Sequence, residues 1–156
     1  AKIIHPTLGG FAWWLRKQDH SEFDYVTQAY DSLTELIREL PNGPLIVGGF
    51  SQGGAIASMM MERNVQDRIV GLVLIGTMTI NSKGLELALS KTWERPVVWM
   101  HGKNDKRVPF LDGMEHIKIF ENAGWNVTKL SHEKGHMVDI SKIDTLIEVI
   151  EEMTKS

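Results

Sequence analysis

Three residues of this 156-residue chain have the types and surroundings that acyl transfer needs: Ser51, Asp105 and His136. Ser51 stands in Gly48-Gly49-Phe50-Ser51-Gln52-Gly53-Gly54, between an apolar run and a helical pattern, and the central five letters fit G-x-S-x-G. A strand-to-helix turn sharp enough to strain the serine backbone would lift its hydroxyl clear of a sheet. That turn requires flanking residues without a Cβ. It also leaves the Gln52 N–H at a helix N-terminus, where an orphan donor and the helix dipole favour an oxyanion. The alternative is an ordinary tight turn with serine as an N-cap. The three fixed letters arise by composition in roughly one chain in twenty of this length, so the motif needs partners to carry meaning. Two competing glycine motifs fail, because no lysine follows for a P-loop and the spacing is not G-x-G-x-x-G.

A serine hydroxyl is a poor nucleophile without a base, and the base needs an acid to orient it. Asp105 lies in His101-Gly102-Lys103-Asn104-Asp105-Lys106-Arg107-Val108-Pro109, after an apolar run. His136 lies in Gly135-His136-Met137, before a helical pattern. Taken alone, Asp105 reads equally well as a turn aspartate beside Asn104, and Asp112 and Asp139 read as helix-start residues. His101, at a strand end, reads as a structural residue ordering the Asp105 loop, and His20 and His116 as surface residues. His132, Glu133 and His136 miss the H-E-x-x-H spacing by one, and Gly135 interrupts the helix that motif needs, so no metal site is expected.

The elements that would position these residues are legible in the apolar pattern. Leu45 to Val47, Ile69 to Ile75 and Val97 to Met100 are short, β-branched and without alternation, as buried parallel strands are. Trp125 to Leu130 reads as a last, partly polar strand near an edge. Phe23, Val26, Tyr30, Leu33, Ile37 and Leu40 share one helical face, which Pro41-Asn42-Gly43-Pro44 ends. Gly54 to Arg63 is apolar nearly all round and predicts a buried helix. Phe110 to Asn122 predicts another, ended by Gly124, and Ile140, Ile143, Ile147 and Ile150 mark a last one capped by Asp139 or Ser141. Alternating strands and helices predict an α/β fold with a mostly parallel sheet and right-handed crossovers. Ligands gather outside the carboxyl ends of such strands, where all three residues fall. The chain order Ser51, Asp105, His136 is that of an α/β-hydrolase.

Bulk properties narrow the function class. With 42% apolar and 24% charged residues the composition is that of a folded domain, and the length suits a single one. A net charge of −3 without basic clusters disfavours nucleic acid and anionic lipid as partners. The absence of cysteine excludes thiolate chemistry and disulfides. No apolar run reaches the roughly 18 residues of a membrane span, and Ala1 to Thr7 has no signal-peptide pattern, so a cytoplasmic location is expected.

"GGFSQGGAIA" at 48 to 57, "HGKNDKRVP" at 101 to 109 and "GH" at 135 to 136 resemble the phospholipase/carboxylesterase family of α/β-hydrolases, which includes the acyl-protein thioesterases. The resemblance covers most of the chain. It implies a three-layer fold with Ser51 as nucleophile, Asp105 as acid, His136 as base and the Gln52 backbone N–H as one oxyanion donor. It also gives the family's aromatic segment a counterpart in Gly10-Phe11-Ala12-Trp13-Trp14. Family members begin with further strands and a glycine-rich loop, after an H-G dipeptide, that supplies the second oxyanion N–H. The expectation is therefore one α/β-hydrolase domain over residues 1–156, truncated or minimal at its N-terminus, with Lys2 to Pro6 as the strand following that loop. A second assignment makes Ala1 to His5 the inner strand and His5 to Gly10 the oxyanion loop, with a donor near Leu8. One lost oxyanion donor costs about 100- to 1,000-fold in rate.

The expected function is hydrolysis of carboxylic esters or thioesters through an acyl-enzyme, without cofactor, on small or lipid-like acyl substrates. Met78, Met137, Trp13 and Trp14 are candidates for an acyl pocket, and core packing explains each equally well. Two alternatives stand beside it: a non-catalytic or weakly active hydrolase-fold scaffold, and an acyltransferase using the same three residues. The sequence leaves the oligomeric state open.

Overall fold

A computed structural model describes residues 3–4, 11–14 and 22–155. The chain divides into two compact units, residues 1–42 and 43–156. In the first, β1 (Ile3–Ile4) pairs antiparallel with β2 (Phe11–Ala12), in the register Ile3 to Ala12 and Ile4 to Phe11. The two assignments of the N-terminal stretch, Lys2 to Pro6 as the strand after the oxyanion loop and Ala1 to His5 as the inner strand, fall largely outside the described residues. Helix α1 (Glu22–Glu39) follows, with Val26, Ala29, Tyr30 and Ile37 buried as its periodicity requires.

The second unit is a four-stranded parallel sheet in the order β3-β4-β5-β6, formed by Leu45–Phe50, Ile69–Ile75, Pro96–Gly102 and Asn126–His132. β4 and β5 are buried along nearly their whole length, whereas β3, paired only with β4 among the described residues, is half-buried or exposed throughout. Side chains alternate across the sheet. One set, Ile75, Val98, Met100 and Leu130, forms a core with Leu146 and Met153 of α5 (Ile143–Met153). On the opposite set, Trp99 and His101 lie beneath α4 (Phe110–Asn122), whose Gly113 faces the His101 ring. Helix α2 (Gln52–Met59) packs on β3 and β4 and is buried from Gly54 onward, continuing through a 3-10 turn at Met60–Glu62. The segment expected as one helix to Arg63 thus tightens in its last turn.

Helix α4 ends as expected at Gly124, φ +84°, where the Gly124 and Trp125 amides return to Glu121 and Phe120. Trp125 therefore belongs to the helix end, and β6 starts one residue later. Helix α3 (Ser82–Leu89), capped by the Asn81 side chain on the Gly84 amide, was not read from the sequence. Two expectations are corrected. His116 is fully buried instead of lying on the surface. Ile140 and Ile147 are 77% and 48% exposed, because α5 begins only at Ile143 and buries Leu146 and Met153 instead. Among the described residues no helix is long and apolar enough to cross a membrane.

Candidate active site

Ser51 sits between β3 and α2 at φ 55° and ψ −120°, the one non-glycine residue with positive φ among those described. Few L-residues tolerate that backbone. The turn is held by main-chain bonds, Ser51 N–H to the Ile75 carbonyl (2.8 Å) and Ala55 N–H to the Ser51 carbonyl (3.1 Å). It is also a place of close approach. A Cβ on Gly49 would stand 2.6 Å from both the Gly53 oxygen and the Gly54 nitrogen. The Ser51 side chain makes no capping bond to α2. Its Oγ instead lies 3.0 Å from His136 Nε2.

The other two side chains stand on loops that continue the β5–β6 pairing. Lys103 N–H donates to the His132 carbonyl (2.7 Å), Asn104 N–H to the Lys134 carbonyl (3.2 Å), and the Asn104 amide side chain to the Glu133 carbonyl. Within this frame His136 Nδ1 lies 2.6 Å from Asp105 Oδ2. A carboxylate oxygen can only accept, so the His136 proton sits on Nδ1 and leaves Nε2 to accept from Ser51. Asp105 Oδ1 accepts from the Arg107 and Val108 amides at 2.8 and 3.0 Å. The Val108 carbonyl in turn accepts from His101 Nε2 (3.0 Å). Burial alone would raise the Asp105 carboxyl, but the Val108 amide, the His136 ring and the Arg107 amide outweigh it and hold it below the ordinary carboxylate value. On either side of His136, Lys134 and Asp139 pair at 2.7 Å, and the Asp139 carboxyl is pulled down to about 2, chiefly by that ammonium. The bridge brackets the loop that carries His136.

The sequence candidates thus fall into three groups. Ser51, Asp105 and His136 lie within hydrogen-bonding distance in series. Gln52 is the first residue of α2, Met78 is half-buried just after β4, and Met137 beside His136 is 48% exposed. Trp13 and Trp14 belong to the other compact unit, and Leu8 lies outside the described residues. His132, weighed as a metal ligand, accepts the Lys134 amide at Nδ1, and Glu133 pairs with Lys103. Sequence reasoning missed Phe50, whose ring lies against His136, and the Arg107 and Val108 amides. An aspartate in a turn accepts from amides two and three residues on, so the Asn104-Asp105 pair held the signal for the amides.

A family profile described as "Serine hydrolase (FSH1)" matches residues 4–144. Acyl-protein thioesterase 1 of Cryptococcus neoformans is 31% identical over 123 residues, 72% of this chain and 51% of that protein. A probable inactive carboxylesterase of Oryza sativa subsp. japonica is 28% identical over 127 residues, 76% of this chain and 51% of that protein. The chain spans about half the length of the curated relatives it matches. Among solved structures, Zea mays acyl-protein thioesterase 2 superposes with a TM-score of 0.71 at 20% identity, covering 93% of this chain and 74% of that one. That likeness shows the α/β-hydrolase fold.

Proposed function

The chain belongs to the FSH1 serine hydrolase family, and from that premise we propose that it hydrolyses carboxylic esters or thioesters of small or lipid-like acyl groups, in the cytoplasm, through an acyl-enzyme on Ser51. Ser51 Oγ attacks the acyl carbon while its proton passes to His136 Nε2. The carbon–oxygen or carbon–sulfur bond then breaks, and the alcohol or thiol leaves with the His136 proton. Water attacks the acyl-enzyme, gives a proton to His136, and the carboxylic acid departs as that proton returns to Oγ. Asp105 keeps the imidazole in the required tautomer and stabilises the imidazolium. In this reading the backbone amide of Gln52, the first residue of α2 with the helix dipole behind it, serves as an oxyanion donor.

The observation that carries this reading is the unbroken series Asp105 Oδ2, His136 Nδ1, His136 Nε2, Ser51 Oγ, at 2.6 and 3.0 Å, with the hydroxyl on a strained turn. Its test is covalent labelling by a fluorophosphonate together with turnover of an acyl p-nitrophenyl ester series. Wild type should label once and hydrolyse, and Ser51→Ala should do neither. Labelling that persists in Ser51→Ala would refute the assignment. A second reading, a feebly active or non-catalytic hydrolase-fold domain, draws on the probable inactive carboxylesterase relative. Wild type that folds cooperatively yet neither labels nor turns over would favour it.

A further inference from the structure

Phe50 is the variable letter before the serine of the G-x-S-x-G stretch, and packing alone does not account for its place. It closes β3 with 40% of its surface exposed, although it is a large apolar side chain. Its ring lies against the His136 imidazole, the centroids 4.6 Å apart and the planes tilted by 42°. Gly76, directly after β4, adopts φ +56°, a backbone that favours glycine. A Cβ there would stand 3.0 Å from Phe50 Cε2 and 3.4 Å from His136 Cε1. The Gly76 amide donates to the Met100 carbonyl of β5 (2.8 Å), which anchors the bare backbone beside the two rings. The sheet thus leaves a gap at this point, and an aromatic ring and the imidazole fill it together.

We propose that Phe50 is a positioning residue for His136, holding one side of the imidazole and stabilising it when it carries the second proton during acyl transfer. The inference rests on the hydrolase reading of Ser51, Asp105 and His136. When the Ser51 proton reaches Nε2 the ring becomes a cation, and an aromatic ring within about 6 Å attracts a cation through its quadrupole. The neutral imidazole of the resting state gains less. An interaction that is stronger at the transition state than before it lowers the barrier to the chemical step and appears in kcat. Asp105 serves the imidazolium through Nδ1, and Phe50 serves it through the ring. At a partly exposed site the effect corresponds to about 2- to 30-fold in rate.

The experiment replaces Phe50 with phenylalanines carrying increasing numbers of ring fluorines, which withdraw the quadrupole while nearly keeping the size, and measures kcat and KM on a p-nitrophenyl ester. The expected result is a stepwise fall in kcat with each fluorine, reaching about 2- to 30-fold, with KM little changed. Phe50→Leu should match the most fluorinated ring. A flat kcat series in a protein whose Ser51 labels with fluorophosphonate overturns this inference alone. Absence of labelling in wild type overturns the hydrolase reading and this inference with it.

Discussion

The turn that carries Ser51 and the paired loops that carry Asp105 and His136 reach the same point by different physics. At the turn, no side-chain bond caps α2, the serine backbone is strained, two main-chain bonds hold the chain, and Gly49 comes so close to Gly53 and Gly54 that a Cβ has no room. In the loops, amides and carbonyls are bonded across from one strand end to the other, and the Asp105 carboxylate gathers two further amides. Steric placement depends on the absence of an atom, and hydrogen-bonded placement depends on the presence of donors. The two regions should therefore fail in different ways: the turn to added volume, the loops to lost charge or added protons.

The largest expected effect comes from changing charge without changing shape. Asp105→Asn can keep its Oδ1 on the Arg107 and Val108 amides while losing the carboxylate that fixes the His136 tautomer. Turnover should drop by about 10⁴-fold, the loss seen when a triad aspartate is made neutral. Stability by urea denaturation should change far less. Activity within about tenfold of wild type would remove Asp105 from the role assigned to it. Next in size, Gly49→Ala places a methyl group where two main-chain atoms stand 2.6 Å away, and neither belongs to a flexible side chain. A destabilisation of about 3 kcal/mol is expected, with labelling of Ser51 reduced in parallel. A fully stable alanine variant would mean that the turn is not set sterically, and the contrast between the two regions would collapse.

The smallest effect is a pH dependence confined to the loop side of the sheet. His116 of α4 is fully buried and its imidazole is pushed down to about 4 by burial, against the Thr77 backbone and helped by His101. His132 is lowered in the same direction, also by burial. A histidine with a lower value in the folded state binds fewer protons there than when unfolded. Its contribution is complete above about pH 6.5 and is lost as the pH falls towards about 4, by at most about 3 kcal/mol for His116. Urea midpoints measured across that window should fall for wild type and fall less steeply for His116→Leu. Equal slopes would show that His116 is not the titrating group.

Much of the second unit was legible because a buried parallel strand and a glycine-bounded turn leave local marks. Ile69 to Ile75 is apolar without alternation, and the structure places β4 over those residues. Gly124 marked the end of α4 because a left-handed residue is needed there. The spacing of Ser51, Asp105 and His136 after three different strands was enough to name them together. The misses arise where a residue's type and its place in the packing disagree. His116 reads as polar, yet with Gly113, Ile117 and Phe120 it lies on the buried face of α4, and that three-and-four spacing was the available signal. Helix α3 is eight residues long with Gly84 in its first turn, so propensity and periodicity are both weak.

The amino-acid sequence by itself determined the four strands of the parallel sheet, four of the helices beside them and the order of three chemical groups along the chain. Those properties follow from periodicity, from glycine and from motif spacing, which are local. Only the tertiary structure decided that Asp105 Oδ2 and His136 Nδ1 come to 2.6 Å, that His136 Nε2 reaches Ser51 Oγ at 3.0 Å and that Phe50 lies against the same imidazole. It also decided that Ile3–Ile4 and Phe11–Ala12 pair antiparallel. Such distances depend on the register and crossings of strands far apart in sequence, which no local pattern encodes.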